Sequence, residues 1–152
     1  MILETGIGPI SLGYRKSKLL CDFGRKKVDR EPSKKLAQQL ADYFSGKRIQ
    51  LFLTPVPDAP PFTKKCWESC RKIPYGKTIS YKELATMAGS PKAVRAAGQA
   101  MRNNPQTIIT PCHRVISSSG KPHGYSGSTN PKGINLRRKQ FLLDLEQGIM
   151  SP

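Results

Sequence analysis

Residues 80–102 read SYKELATMAGSPKAVRAAGQAMR, and this stretch decides the fold class. Ser80, with Glu83 three residues on, matches a capping box, in which the serine oxygen and the glutamate each satisfy an amide at a helix start. A short helix through Met87 follows, and Ala88-Gly89 ends it. Ser90 then caps a second helix, with Pro91 at the first position, where its missing N–H has no intrahelical acceptor to lose. Two short helices around so tight a break form a helix-turn-helix pattern. The second helix, residues 91–102, carries Lys92, Arg95 and Arg102, no acid, and small residues at Ala93, Ala96, Ala97, Gly98 and Ala100. Gly98 inside a helix costs about 1 kcal/mol relative to alanine, which close approach of another backbone would offset. Tight core packing and insertion into a groove both explain so slim a helix. Its uncompensated positive charge favours DNA.

Working outward, Thr63 can cap a preceding helix while Phe62 and Trp67 pack as a hydrophobic staple, with Trp67, Cys70 and Ile73 facing the core. Upstream lies Thr54-Pro55-Val56-Pro57-Asp58-Ala59-Pro60-Pro61, whose four prolines remove backbone donors and favour extended chain, as in an interdomain linker. Before it, Ile10, Leu12 and Tyr14 alternate with smaller residues, and Arg15-Lys16-Ser17 separates them from Leu19-Leu20-Cys21 and Phe23, which predicts a hairpin. Leu36, Ala37, Leu40, Tyr43 and Phe44 recur at helical spacing between Pro32 and Gly46, and residues 49–53 read as a further strand. An α+β chain is expected: a small N-terminal module over 1–58 with nothing catalytic in it, then a mainly helical DNA-binding domain over 59–152.

Charge supports the division. The chain holds 26 Lys+Arg against 10 Asp+Glu, a formal net charge of +16, with 11 basic and 6 acidic residues in 1–58 and 15 basic and 4 acidic in 59–152. Such a surface attracts polyanions, and counterion release from a duplex would supply much of the binding free energy. No long apolar run, signal peptide or lipidation motif points to a membrane, so an intracellular protein is expected. The cysteines Cys21, Cys66, Cys70 and Cys112 lack the spacing of a small disulfide scaffold, and reduced thiols are expected. Cys66 and Cys70 share a helical face, but only His113 and His123 remain as nitrogen ligands and neither lies in a metal motif. No metal or cofactor is expected.

Cys112 stands apart from the other thiols. It sits in Pro111-Cys112-His113-Arg114-Val115-Ile116, beside a proton acceptor and a positive charge, either of which favours thiolate over a thiol of ordinary pKa about 8.5. A lone cysteine is otherwise a small buried apolar residue. In an extended strand residues 112 and 113 would point to opposite faces, so cooperation between them requires Pro111 to hold a turn or a water to bridge them. The residues alone leave both readings open.

This hexapeptide resembles the active-site motif of the O6-alkylguanine-DNA alkyltransferases. Ile73-Pro74-Tyr75-Gly76-Lys77-Thr78, Ser80-Tyr81, Ser90-Pro91-Lys92-Ala93-Val94-Arg95, Met101-Arg102-Asn103-Asn104-Pro105, Gly124-Tyr125-Ser126-Gly127 and Phe141-Leu142-Leu143-Asp144-Leu145-Glu146 follow in the family's order, over roughly residues 62 to 147. The resemblance implies a DNA-repair protein, monomeric, that binds duplex DNA through its helix-turn-helix and turns O6-alkylguanine out of the stack. Cooperative binding along DNA stays open. Arg95 matches the arginine that fills the vacated space, on a helix that enters the minor groove, a cleft only about 6 Å wide. Ser90, Lys92, Ala93, Ala96, Ala97, Gly98 and Arg102 would make up the rest of that interface. Cys112 matches the alkyl acceptor, His113 the base acting through a water, and Glu146 the carboxylate orienting it. Tyr81 matches a proton donor to the departing guanine, and Asn104 a brace of the active-site turn. Tyr125 and Ser126 match pocket residues, and backbone groups of Cys112 and Val115 would read the guanine edge. The first half is similar to the family's ribonuclease-H-like domain in its hairpin, helix and strand order.

Residues 128–135 form an insertion relative to the family's usual link to the final helix, and His123 stands where a small residue is common, at a pocket rim or in solvent. Three other classes compete with this reading. A non-transferring lesion-binding protein would have another residue at Cys112; a helix-turn-helix regulator would have no need of Cys112 or Glu146; a thiol hydrolase would not explain the basic surface.

Overall fold

The computed structural model describes residues 1–49, 54–118 and 133–149. The first half opens with a three-stranded antiparallel sheet in the order β1-β2-β3, made of β1 (Ile2–Thr5), β2 (Gly8–Arg15) and β3 (Lys18–Phe23). Its hairpin is the expected one. Lys16 and Ser17 both take positive φ, 49° and 62°, the sense that matches strand twist in a two-residue turn. Ile10 faces Phe23 and Leu12 faces Cys21 across the ladder, so the alternating apolar residues share one buried face. The edge strand β1 was not expected: four residues alternating between exposed and half-buried give little signal.

Helix α1 (Lys34–Phe44) lies between the expected breakers. Ser33 caps it, its Oγ accepting from the Leu36 amide at 3.2 Å, and Leu36, Leu40 and Tyr43 form its buried stripe. The strand expected at 49–53 falls on residues 50–53, outside the described residues.

In the second half, α2 (Pro61–Cys70) starts earlier than expected. Thr63 lies inside it and caps nothing; Pro61 takes the first position, which its fixed φ and absent N–H suit. Trp67, Cys70 and Ile73 are buried as expected. Strand β4 (Ile79–Ser80) leads into α3 (Tyr81–Met87), where Ser80 Oγ accepts from the Glu83 amide at 3.0 Å and donates to the Glu83 carboxylate. Only half of the capping box is thus present.

The next helix requires a correction. Helix α4 spans Val94–Arg102, so Ser90, Pro91, Lys92 and Ala93 precede it. Gly89 takes φ +91°, and the Ser90 amide donates to the Ala85 carbonyl at 2.9 Å, which commits Ser90 to closing α3. A turn follows, Ala93 N–H to Ser90 C=O at 2.9 Å, before α4 begins. Helix α4 packs on α2 and α3, and the Trp67 indole N–H donates to the Ala100 carbonyl at 2.8 Å. One turn of 3-10 helix at Cys112–Arg114 runs into β5 (Val115–Ile116), which pairs in parallel with β4, and α5 (Ile134–Gln147) completes the mixed α/β fold.

The two halves share one contiguous apolar core. They also share backbone hydrogen bonds: the Cys21 amide donates to Pro105 C=O at 3.2 Å and the Thr107 amide to Cys21 C=O at 2.8 Å, so β3 carries the segment that leads to Cys112.

Candidate active site

Pro111, with φ −80° and ψ 65°, delivers Cys112 into its tight turn, so residues 112 and 113 are not on opposite faces of a strand. Cys112 is 7% exposed. Burial pushes its thiol pKa up, while a hydrogen bond from Asn104 Nδ2 to Sγ at 3.3 Å and the positive charge of Lys139 pull the other way. At rest the group is a thiol and needs a base. Asn104 also donates to Thr110 C=O at 2.8 Å and accepts from the Gln106 amide at 2.9 Å, which ties both ends of the loop to one side chain. Arg71 clamps the same loop through Thr110 Oγ1 at 2.9 Å and Gln106 Oε1 at 2.6 Å. These ties hold Ile108 at φ +74°, a conformation that costs a β-branched residue on the order of 1–3 kcal/mol.

His113 is fully buried, with Nε2 2.5 Å from Glu146 Oε2. Burial lowers its pKa against the pull of Glu146, which keeps the ring neutral, with Nε2–H donating to the carboxylate. Nδ1 is buried with no hydrogen-bond partner among the described residues, so its lone pair is the acceptor of the ring. Burial alone would protonate Glu146, but His113 and Arg114 outweigh it and hold the carboxyl well below the usual range. Arg114 reaches Oε1 through Nε at 2.8 Å and Oε2 through Nη2 at 3.1 Å, and the Gly76 amide donates to Oε1 at 3.1 Å. Gly76 sits at φ +78°, and a Cβ there would lie 3.2 Å from Glu146 C=O, so glycine is required at this approach. Arg114 therefore serves the carboxylate, not the thiol.

Three further side chains complete the cluster. Lys139, fully buried on α5, donates to Val115 C=O at 2.7 Å and lies 3.5 Å from Tyr81 Oη; burial lowers its pKa to about 8. Tyr81 is pushed up to about 12 by burial and by Cys112 and Cys70, which keeps its phenol protonated. Tyr43, from α1, donates to Glu146 Oε2 at 2.6 Å. Sequence reasoning missed Lys139 and Tyr43. A lysine on the buried stripe Leu136, Lys139, Leu142 and Glu146 was a readable signal; Tyr43 read as core, and no spacing marks it otherwise.

Cys112, His113, Glu146, Asn104, Tyr81 and Val115 thus come together. Val115 is fully buried, with its amide donating to Cys112 C=O and its carbonyl accepting from Lys139. Tyr125, Ser126, His123 and most of the 128–135 insertion lie outside the described residues. On α4, Arg95, Ala96 and Arg102 are exposed, as is Lys92 before it, while Ser90, Ala93 and Gly98 are partly exposed. Ala97 is a correction: it is fully buried with Ala100 and Met101, on the face that α4 turns to the core. A Cβ on Gly98 would meet only the Tyr81 ring, at 4.0 Å, so no neighbour among the described residues demands glycine there.

A neutral imidazole bonded to a carboxylate, in the same tight turn as a buried thiol, is an arrangement that can activate a cysteine as a nucleophile. Residues 61–148 match the family model described as "6-O-methylguanine DNA methyltransferase, DNA binding domain". A methylated-DNA-protein-cysteine methyltransferase of Methanosarcina barkeri is 41% identical, over 96% of this chain and 95% of the relative. The constitutive methyltransferase of that name from Bacillus subtilis is 43% identical over 110 residues, 72% of this chain and 63% of its own length. The crystal structure of Mycobacterium tuberculosis OGT in complex with DNA superposes with a TM-score of 0.78 at 34% identity, covering 97% of this chain and 92% of that one. The chain belongs to the methylated-DNA-protein-cysteine methyltransferase family, whose members are DNA-binding repair enzymes. None of the described helices is long and apolar enough to cross a membrane.

Proposed function

We propose that this chain repairs duplex DNA by turning O6-alkylguanine out of the stack and moving the alkyl group to Cys112, once per molecule. The observation that carries the reading is that the buried Cys112 shares one tight turn with His113, an imidazole whose donor nitrogen is held by the Glu146 carboxylate and whose other nitrogen has no partner among the described residues. His113 Nδ1 takes the thiol proton through a water. Sulfur attacks the carbon on O6, the S–C bond forms as the C–O6 bond breaks, and the electron pair stays on the guanine. Tyr81 supplies a proton to that guanine, because the anion leaves less readily than the neutral base. Asn104 braces the turn, and Tyr125, Ser126 and backbone groups of Cys112 and Val115 hold the base. Val115 C=O, which accepts from Lys139, keeps a second lone pair for the guanine edge, whereas its amide would first have to leave Cys112 C=O.

Binding is through the helix-turn-helix of α3 and α4, with α4 in the minor groove and Arg95 in the space left by the base. Ser90, Lys92, Ala93, Ala96, Gly98 and Arg102 flank it. Support comes from the exposed, acid-free face of α4. The partner is duplex DNA carrying O6-alkylguanine, met by a monomer inside the cell. We also propose the division into 1–58 and 59–152, the first part ribonuclease-H-like, on the order of β1, β2, β3 and α1 and the irregular, proline-rich run 54–60.

The thioether product offers no leaving group for its own removal, so a titration with excess lesion duplex tests the reading. Methyl uptake should stop at one per chain and vanish in Cys112→Ser. Continued turnover, or lesion-selective binding without uptake, refutes it.

A further inference from the structure

We propose that Tyr43, a residue of the N-terminal module, is a positioning residue of the alkyl-transfer reaction, acting through the oxygen of Glu146 that faces His113. The inference rests on the function proposed above. Tyr43 is 1% exposed, and its hydroxyl lies 2.6 Å from Glu146 Oε2 and 3.4 Å from His113 Nε2. Its ring stands edge-on to the imidazole, with centroids 6.4 Å apart. Tyr43 is therefore more than a core aromatic at the end of an apolar stripe.

The chemistry follows from how many donors one carboxylate receives. Oε2 accepts from Tyr43, His113 and Arg114 Nη2, and Oε1 from Arg114 Nε and the Gly76 amide. Each donor lowers the basicity of the carboxylate, and so lowers the pull it exerts on the His113 ring proton. A carboxylate with His113 as its main partner would stabilise the imidazolium and leave Nδ1 protonated at neutral pH. The Tyr43 hydroxyl shares Oε2 and favours the neutral ring, whose Nδ1 can accept the thiol proton. The other charged groups that bear on His113 are Glu146 and Lys139 from α5 and Arg114 from its own turn; Tyr75, from the segment after α2, packs edge-on to Tyr43 and bears on Glu146. Arg48 lies near the Tyr75 ring, 5.3 Å from its centroid. Among the described residues of 1–58, Tyr43 bonds the dyad directly, while Arg48 reaches only Tyr75. The N-terminal module thereby enters the reaction that the second half carries out.

The test is Tyr43→Phe, which keeps the ring and removes the hydroxyl, measured in the full chain. His113 should titrate at higher pH by NMR in the DNA-free protein, the acid limb of the transfer-rate profile should move up with it, and on that limb transfer should fall about fivefold, the order of one hydrogen bond's effect. In a Glu146→Gln background the same substitution should change neither rate nor profile. A wild-type protein that transfers methyl, with Tyr43→Phe leaving the His113 titration and the acid limb in place, overturns the proposal. A wild type that transfers nothing defeats the underlying function instead, while the NMR titration still judges the contact. Should the variant not fold, the wild-type Tyr43 hydroxyl proton decides: a slowly exchanging signal with cross-peaks to the His113 ring is expected, and its absence overturns the proposal.

Discussion

Cys112 shows how far a single residue can be read. Its neighbours in sequence suggested a thiolate favoured by adjacent positive charge, yet Arg114 turns its guanidinium to Glu146, and burial raises the thiol pKa. The charge that does act on sulfur comes from Lys139, far away in the chain. Lys139→Met should therefore shift the pH dependence of Cys112 alkylation by iodoacetamide to higher pH, and leaving Val115 C=O unpaired should cost about 1–3 kcal/mol in denaturant melts. The dyad also sets a stability prediction. The folded pKa values of His113 and Glu146 both lie below their unfolded values, about 6.5 and 4.3, so the unfolded chain takes up protons first as pH falls. The stabilisation is complete above about pH 6.5; the His113 share is lost below that and the Glu146 share below about 4.3. Thermal midpoints should fall on acidification from pH 7.5 to 5, and His113→Gln, whose amide can still donate to Glu146, should flatten that fall.

Among the elements, hairpin β2-β3, helix α1 and the pair α3 and α4 were legible because alternation, capping and glycine breaks are local signals. The starts of α2 and α4 were not, since competing cap candidates lie close together and tertiary contacts choose among them: Pro61 displaced Thr63, and Ser90 was taken by the end of α3. Helix α4 divides its two faces, with Ala97 inward against the core and Arg95 and Ala96 outward, on the face that the proposed groove binding would use. Gly98 then separates stability from binding. Gly98→Ala should stabilise the fold by up to about 1 kcal/mol through helix propensity, while weakening duplex binding if DNA approaches this backbone. Unchanged affinity would remove Gly98 from the interface. Arg95→Ala should slow methyl transfer from duplex DNA by more than about tenfold, a loss of the order of one buried charge-assisted contact, and leave transfer from the free O6-alkylguanine base unaffected.

For the whole molecule, composition pointed to the partner before any element was placed. A net charge of +16 makes binding salt-dependent, so log affinity for duplex should fall linearly with log salt, and Lys92→Ala or Arg102→Ala should each reduce the slope by about one. The dependence of the site on both halves was not legible, because Tyr43 and Glu146 stand 103 residues apart and meet only in the folded core. The central claim, transfer to one chosen thiol among four, is met most directly by peptide mass spectrometry after incubation with a duplex carrying a single O6-methylguanine. One methyl group on the Cys112 peptide, with Cys21, Cys66 and Cys70 unmodified, is the expected result; methyl on another cysteine, or none on protein while the lesion is bound, would contradict it.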